Sequence, residues 1–331
     1  GNFGFVEVQG SASSTETEVT FTDLTITSGG DFTAPSNGTL TITGDFDPSA
    51  GSFDANSGTT TMKGEGTYNL ELSFEHATSV LAQEGDGTGV TFNPDGTMMF
   101  ITGDDKIVEA YTLSTPWDVS TANTSASYSV AAQVTGKASD VTFSRAGERM
   151  YVTEDISGEL FEYSLSTSWD VTSASFVQST TTFSDLLEDV EFSEDGSYMY
   201  LLHAGAGDTV RQYQLETPWN IATSTVVGND FPEDSYPTGM QFSADGRYLF
   251  TVGRSGDTVN LISLTSPWMV SGGTLVDTHD ISGQDTDPYG MSLSSNGSQV
   301  YTIGAGNDQV YQYDVTALIG TSTASNKLAD V

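Results

Sequence analysis

The sequence predicts an all-β fold, and three features lead there. An eight-residue motif recurs five times at intervals near 50 residues; apolar and polar side chains alternate inside each copy with the period of a strand; and Gly, Asn and Asp separate the segments. The copies are Gly89-Val-Thr-Phe-Asn-Pro-Asp-Gly96, Asp140-Val-Thr-Phe-Ser-Arg-Ala-Gly147, Asp189-Val-Glu-Phe-Ser-Glu-Asp-Gly196, Gly239-Met-Gln-Phe-Ser-Ala-Asp-Gly246 and Gly290-Met-Ser-Leu-Ser-Ser-Asn-Gly297. Their anchors Phe92, Phe143, Phe192, Phe242 and Leu293 lie 51, 49, 50 and 51 residues apart. A second signature, such as Glu216-Thr-Pro-Trp-Asn-Ile-Ala222, follows the first four copies. It places Trp117, Trp169, Trp219 and Trp268 at spacings of 52, 50 and 49.

The third copy shows how one unit is built. Val190 and Phe192 alternate with Glu191 and Ser193, which marks a half-buried strand. Asp195-Gly196 supplies the positive φ of a tight turn, and Asp95, Asp195 and Asp245 are read as turn formers only. Tyr198–Leu202 reads as a second strand, Val210–Leu215 as a third, and Thr217-Pro-Trp219 ends it because proline lacks the ladder donor. A fourth strand falls near Thr225–Gly228. Four short antiparallel strands per repeat cannot bury their own faces, so the sheets must pack as blades around an axis, as a β-propeller. The four Trp read as plugs between blades, each followed two positions on by Val or Ile; stacking on sugars is the competing role.

The order aromatic, Asp-Gly, aromatic–aliphatic strand, Gly-Asp, Val-x-x-Tyr-x-Leu resembles the YVTN/NHL-type β-propeller repeat. The added Ser/Thr-Pro-Trp-Asp-Val signature resembles repeats in tail-fibre and surface proteins of marine phages and bacteria. The resemblance covers residues 78–316. It implies the fold and not the function, because propellers host enzymes, lectins and scaffolds alike.

Five blades are favoured; six would require the strands before Tyr68 to build a degenerate blade. The last repeat, through Val310–Val315, has no Trp signature and no fourth strand. Tyr68, Leu70 and Phe74 match Tyr213, Leu215 and Trp219 in spacing, so Ser79–Gln83 is expected to pair with the last blade and close the ring. The expected organisation is an N-terminal β-rich attachment or assembly segment at 1–67, a propeller at 68–318, and a flexible or assembly tail at 319–331. The first segment alternates Thr with Leu, Ile or Phe and resembles Thr/Gly-rich β repeats of bacterial surface proteins. Its few large apolar groups make a marginal core alone, so it is expected to lean on the propeller or another chain.

Composition bounds the function. The 331 residues hold 9 Lys+Arg against 45 Asp+Glu, a formal charge of −36, which excludes a nucleic-acid surface and argues against docking on anionic lipid. No apolar run approaches a membrane span. Zero Cys removes disulfides, zinc–thiolate sites and thiol catalysis together. Acidity with abundant Asp, Thr, Ser and Gly suits an extracellular setting, and a chain starting at Gly1 reads as processed or truncated.

Chemistry is sparse. His76, His203 and His279 fall at non-equivalent positions, and no Gly-x-Ser-x-Gly, phosphate-binding glycine loop or His-Glu-x-x-His occurs. The acids preceding each first strand are Asp86, Asp140, Glu188 with Asp189, Asp234 and Asp287. They could form an acidic ring for Ca²⁺, a glycosidase pair, or simply solvated loops. No cofactor and no metal ligand is assigned. The expected function is a non-catalytic extracellular structural or binding subunit, its propeller displayed on a virion (tail or fibre) or cell surface. Its expected partners are other subunits of that assembly and a glycan or host receptor. The alternative is a secreted propeller hydrolase or lactonase using funnel carboxylates.

Overall fold

The computed structural model describes eight short strands between residues 2 and 62, and then residues 69–80, 86–180, 186–204, 208–232 and 236–319. Its described elements are strands and three single-turn 3-10 helices; no helix there is long and apolar enough to cross a membrane. The chain divides into two compact units, one built on residues 1–70 and the other on 71–316.

The first unit is a parallel coil. Strands β1 (Asn2–Val8), β3 (Glu18–Ile26), β5 (Thr39–Ile42) and β8 (Thr59–Met62) form one sheet in that order, with β6 (Phe46–Asp47) also on β3. Strands β2 (Ser11–Ser13), β4 (Asp31–Thr33) and β7 (Ser52–Asp54) form a second. Every pairing within them is parallel, and the register places Asn2, Thr20, Thr41 and Thr61 in one ladder. Each turn of about 20 residues thus gives one strand to each sheet, the arrangement of a β-solenoid. The Thr-apolar alternation marks the strands, but alternation carries no pairing direction, and the parallel coil is not legible in it.

The second unit is a propeller of five four-stranded antiparallel blades. After β9 (Asn69–Ser79), blade one comprises β10 (Gly87–Phe92), β11 (Met98–Gly103), β12 (Ile107–Leu113) and β13 (Ala122–Ser129). Blade two is β14 (Ala138–Phe143), β15 (Arg149–Glu154), β16 (Leu160–Leu165) and β17 (Ala174–Thr180). Blade three is β18 (Leu186–Phe192), β19 (Tyr198–Ala204), β20 (Thr209–Leu215) and β21 (Ser224–Pro232). Blade four is β22 (Pro237–Phe242), β23 (Tyr248–Gly253), β24 (Thr258–Ser263) and β25 (Thr274–Asp280). Blade five joins β26 (Pro288–Leu293), β27 (Gln299–Gly304) and β28 (Gln309–Ile319) to β9.

An N-terminal strand therefore closes the last blade, but it is Asn69–Ser79 and not the segment beginning at Ser79. Phe74 is not the counterpart of Trp219. It lies on this outer strand, its ring 6.4 Å from Tyr311 and 6.0 Å from Tyr313. A continuous strand and a strand followed by a turn place aromatics at the same intervals, which is why spacing alone misassigned it.

Each first strand ends in a turn whose glycine has φ between +64° and +70°, at Gly96, Gly147, Gly196, Gly246 and Gly297. In the first four blades the Trp is itself left-handed, with φ from +62° to +68°, and folds back over that glycine. The Trp219 N–H donates to the Gly196 carbonyl at 3.0 Å, and a Cβ on Gly196 would lie 2.2 Å from the indole. Each Trp also touches the preceding blade, through its ring or its carbonyl. Trp117 lies against Tyr301, Trp169 against Phe100, and the Tyr151 and Tyr200 hydroxyls donate to the Trp219 and Trp268 carbonyls at 2.5 and 2.6 Å. Tyr151, Tyr200, Tyr301, Phe100 and Phe250, equivalent positions on the second strands, are fully buried. Large aromatic burial between blades is what an isolated sheet lacks, and it holds the ring together.

Candidate functional site: the propeller axis and its two ends

The five first strands approach so closely at mid-axis that side chains are nearly excluded. The equivalent positions are Gly89, Asp140, Asp189, Gly239 and Gly290. A Cβ on Gly290 would sit 2.4 Å from the Thr88 carbonyl oxygen, and one on Gly89 2.7 Å from the Asp140 Cα. Three blades therefore need glycine, and the two aspartates fill the space it leaves. The Asp140 carboxylate accepts the N–H groups of Val141 and, one blade on, Val190. Asp189 Oδ2 accepts the Met240 N–H at 2.7 Å, again one blade on. Burial pushes Asp140 up to about 7, and Asp189 rises well above the usual carboxylate range through burial and then the charge of Asp140. These acids latch blade to blade, and the space left beside them is about 10 Å³.

The next ring along the axis is Thr91, Thr142, Glu191, Gln241 and Ser292. Glu191 is hydrogen-bonded by Gln241, whose Oε1 accepts the Leu293 N–H, so blades three, four and five are tied here. Burial, and then Asp140, push Glu191 up to about 8. Beyond this ring the axis widens, on the side of the Asp-Gly turns, into a chamber of about 790 Å³ beside another of about 190 Å³. Phe192, Phe242, Tyr248 and Trp268 line the larger one, and the exposed turn residues Arg145, Glu194, Ala244 and Ser295 stand around the opening. Arg145 is ion-paired with Glu194 of the next blade.

The opposite end is polar. Lys137 Nζ lies 2.9 Å from Asp104 and 4.6 Å from the centre of the Tyr289 ring. Arg254 Nε lies 2.7 Å from Asp287, with its guanidinium carbon 4.5 Å from Tyr289 and 5.6 Å from Tyr236. Two of the chain's nine Lys and Arg thus meet at one tyrosine ring, held there by cation–π attraction and by carboxylates. Glu188 is buried beside them. Burial and Asp155 push it up to about 7, against the opposing pull of Lys137 and Arg254. Tyr236 holds a left-handed φ of +79°.

The acidic ring expected from the sequence breaks apart. Asp140 and Asp189 meet on the axis. An irregularity in the β18–β19 register between Leu187 and Asp189 sends Glu188 to the polar end instead. Asp287 pairs with Arg254. Asp86 is exposed with φ +65°, its N–H donating to Asp308 Oδ1 at 2.7 Å, and Asp234 lies outside the described residues. Among the described residues no group of three acids or histidines has the geometry to hold a metal ion. His76, His203 and His279 sit on β9, β19 and β25 and do not converge. Lys137, Arg254, Tyr236 and Tyr289 escaped sequence reasoning because they lie in different repeats. The available signal was that the columns flanking each first strand change chemistry from blade to blade while the anchor columns do not.

No family model matches the chain, and no curated protein matches it. Among solved structures, a putative 6-phosphogluconolactonase from Bacteroides uniformis is 18% identical, with 58% of this chain and 57% of that one covered and a TM-score of 0.42. A functionally unknown protein from Desulfotomaculum acetoxidans is 14% identical, with 66% and 63% covered and a TM-score of 0.41. The Cps50 (Swd1) β-propeller domain of Myceliophteria thermophila is 10% identical, with 74% and 100% covered and a TM-score of 0.44. The chain thus spans about 57% of the length of the Bacteroides protein, and likeness at this level carries no functional argument.

Proposed function

We propose that this chain is a non-catalytic extracellular binding subunit, its propeller a rigid head displayed on a virion (tail or fibre) or cell surface. One observation carries the reading: charged and aromatic side chains that differ between blades stand at the two ends of the axis, while Asp140 and Asp189 at its middle are consumed in holding blades together. Asp140 and Asp189 accept backbone N–H groups of the neighbouring blade and face about 10 Å³ of space, too little for a substrate. The charge of −36 keeps such a head hydrated and apart from its copies. In this reading the parallel coil, whose sheets keep unpaired edge strands among the described residues, is the part that assembles with other subunits.

Glu191 favours a second reading. A carboxyl held protonated near neutral pH at the floor of a chamber is a candidate general acid, as a propeller hydrolase or lactonase would need. A panel of lactones and aryl glycosides decides between them. The binding-head reading expects no turnover above that of a Glu191→Gln variant; turnover that this variant abolishes would establish the hydrolase.

A further inference from the structure

The chamber at the turn end of the axis has the size, walls and charge of a small-ligand site. Its volume of about 790 Å³ falls within the roughly 300–1,000 Å³ of ligand pockets. Buried Phe192 and Phe242 back it, and the half-buried Tyr248 and Trp268 complete its aromatic wall. Beside these apolar faces stand hydroxyl and amide groups of Ser295, Asn296 and Gln241. No charge is left over to recognise an ion. Arg145 is neutralised by Glu194 and Arg247 by Asp245, and Glu191 keeps its proton at neutral pH. An anionic ligand would also meet the field of a chain carrying −36.

We propose that this chamber binds a neutral saccharide, the apolar face of a pyranose lying on the Tyr248–Trp268 wall and its hydroxyls meeting Glu191 and the turn residues. The assignment rests on the reading of the chain as a binding head and adds the place and the ligand class. Apolar C–H faces rimmed by hydroxyls match a wall of aromatic faces edged by neutral donors and acceptors. The Glu191 carboxyl, held by Gln241, can donate to a sugar hydroxyl while it keeps its proton.

The test is an array of immobilised neutral, uronic and sialylated oligosaccharides, followed by titration calorimetry of the ligands retained. The intact chain should retain neutral sugars. Ala244→Trp and Ser295→Trp, at exposed positions on the rim, should fill the opening, leave Tm unchanged and weaken binding by at least about tenfold. Lys137→Ala and Arg254→Ala, at the far end, should leave it unchanged. Neutral-sugar binding that survives both Trp substitutions overturns the chamber assignment and leaves the binding-head reading standing. So does retention of charged glycans alone with loss in Lys137→Ala or Arg254→Ala. Retention of no saccharide also overturns the assignment, and the turnover panel then judges the binding-head reading separately.

Discussion

Asp140 gives the propeller an inverted pH dependence. Its carboxyl is raised from 3.8 to about 7 in the folded chain, chiefly by burial on the axis. A group whose folded pKa exceeds its unfolded one stabilises most below the unfolded value and loses that contribution as pH rises through the folded one. At about 1.4 kcal/mol per unit, a rise of this kind shared between Asp140 and Asp189 is worth a few kcal/mol, lost as pH climbs through 7. Glu191, raised to about 8, and Glu188, raised to about 7, act in the same direction. Urea unfolding should therefore show stability falling from pH 4.5 to pH 8. Surface repulsion from the acidic exterior gives the same sign, so the series is run in low salt and in 1 M NaCl, where a Debye length near 3 Å removes the surface part. Asp140→Asn separates the two. Its amide oxygen can still accept the Val190 N–H, and it carries no charge at any pH. The variant should gain a few kcal/mol, about 2 or more, on wild type at pH 8 relative to pH 4.5, in high salt. Parallel pH profiles for wild type and variant in 1 M NaCl would refute the buried-acid argument.

Three further outcomes follow from the packing. Trp219→Ala, which empties the space over Gly196 and against Phe192, should cost about 3–5 kcal/mol by chemical unfolding; an unchanged midpoint would show that the indole is not a plug. Deleting residues 69–79 removes the fourth strand of blade five and should lower Tm or produce oligomers through the open β28 edge, so a monomer of unchanged Tm would contradict the closure. Raising salt should stabilise the chain by screening −36, and CaCl₂ at matched ionic strength should add nothing beyond NaCl; a larger shift in Ca²⁺ would reveal a specific cation site.

The blades were legible because their determinants are local and repeated. Phe192, Asp195-Gly196 and Trp219 each act within one strand or turn, and the same solution recurs along the chain. The third repeat's strands fall close to where alternation placed them, with β18 to β21 replacing the four short runs read from residues 190 to 228. The closing strand was legible as a need and misplaced in detail. The demand for a fourth strand follows from counting, whereas its register depends on how Leu70 and Leu72, both buried, fit blade five. The first unit was legible only as strands, because parallel pairing joins residues about 20 positions apart that share no pattern beyond Thr alternation.

The candidate site was another matter. Sequence grouped Asp86, Asp140, Glu188, Asp189, Asp234 and Asp287 as one acidic ring, and the structure distributes the described members among an axial latch, a buried neighbour of Lys137 and Arg254, an ion pair and an exposed turn. By itself the sequence determined the all-β class, the repeat, the turn glycines and the Trp that needs them, since each is a conformational preference of a few adjacent residues. Only the tertiary structure decided which side chains share the axis, because closing five strands around it selects by distance of approach. That approach forces glycine in three blades, buries the two aspartates of the others, and opens a chamber beyond Glu191 and Gln241 between side chains up to two hundred residues apart in the chain.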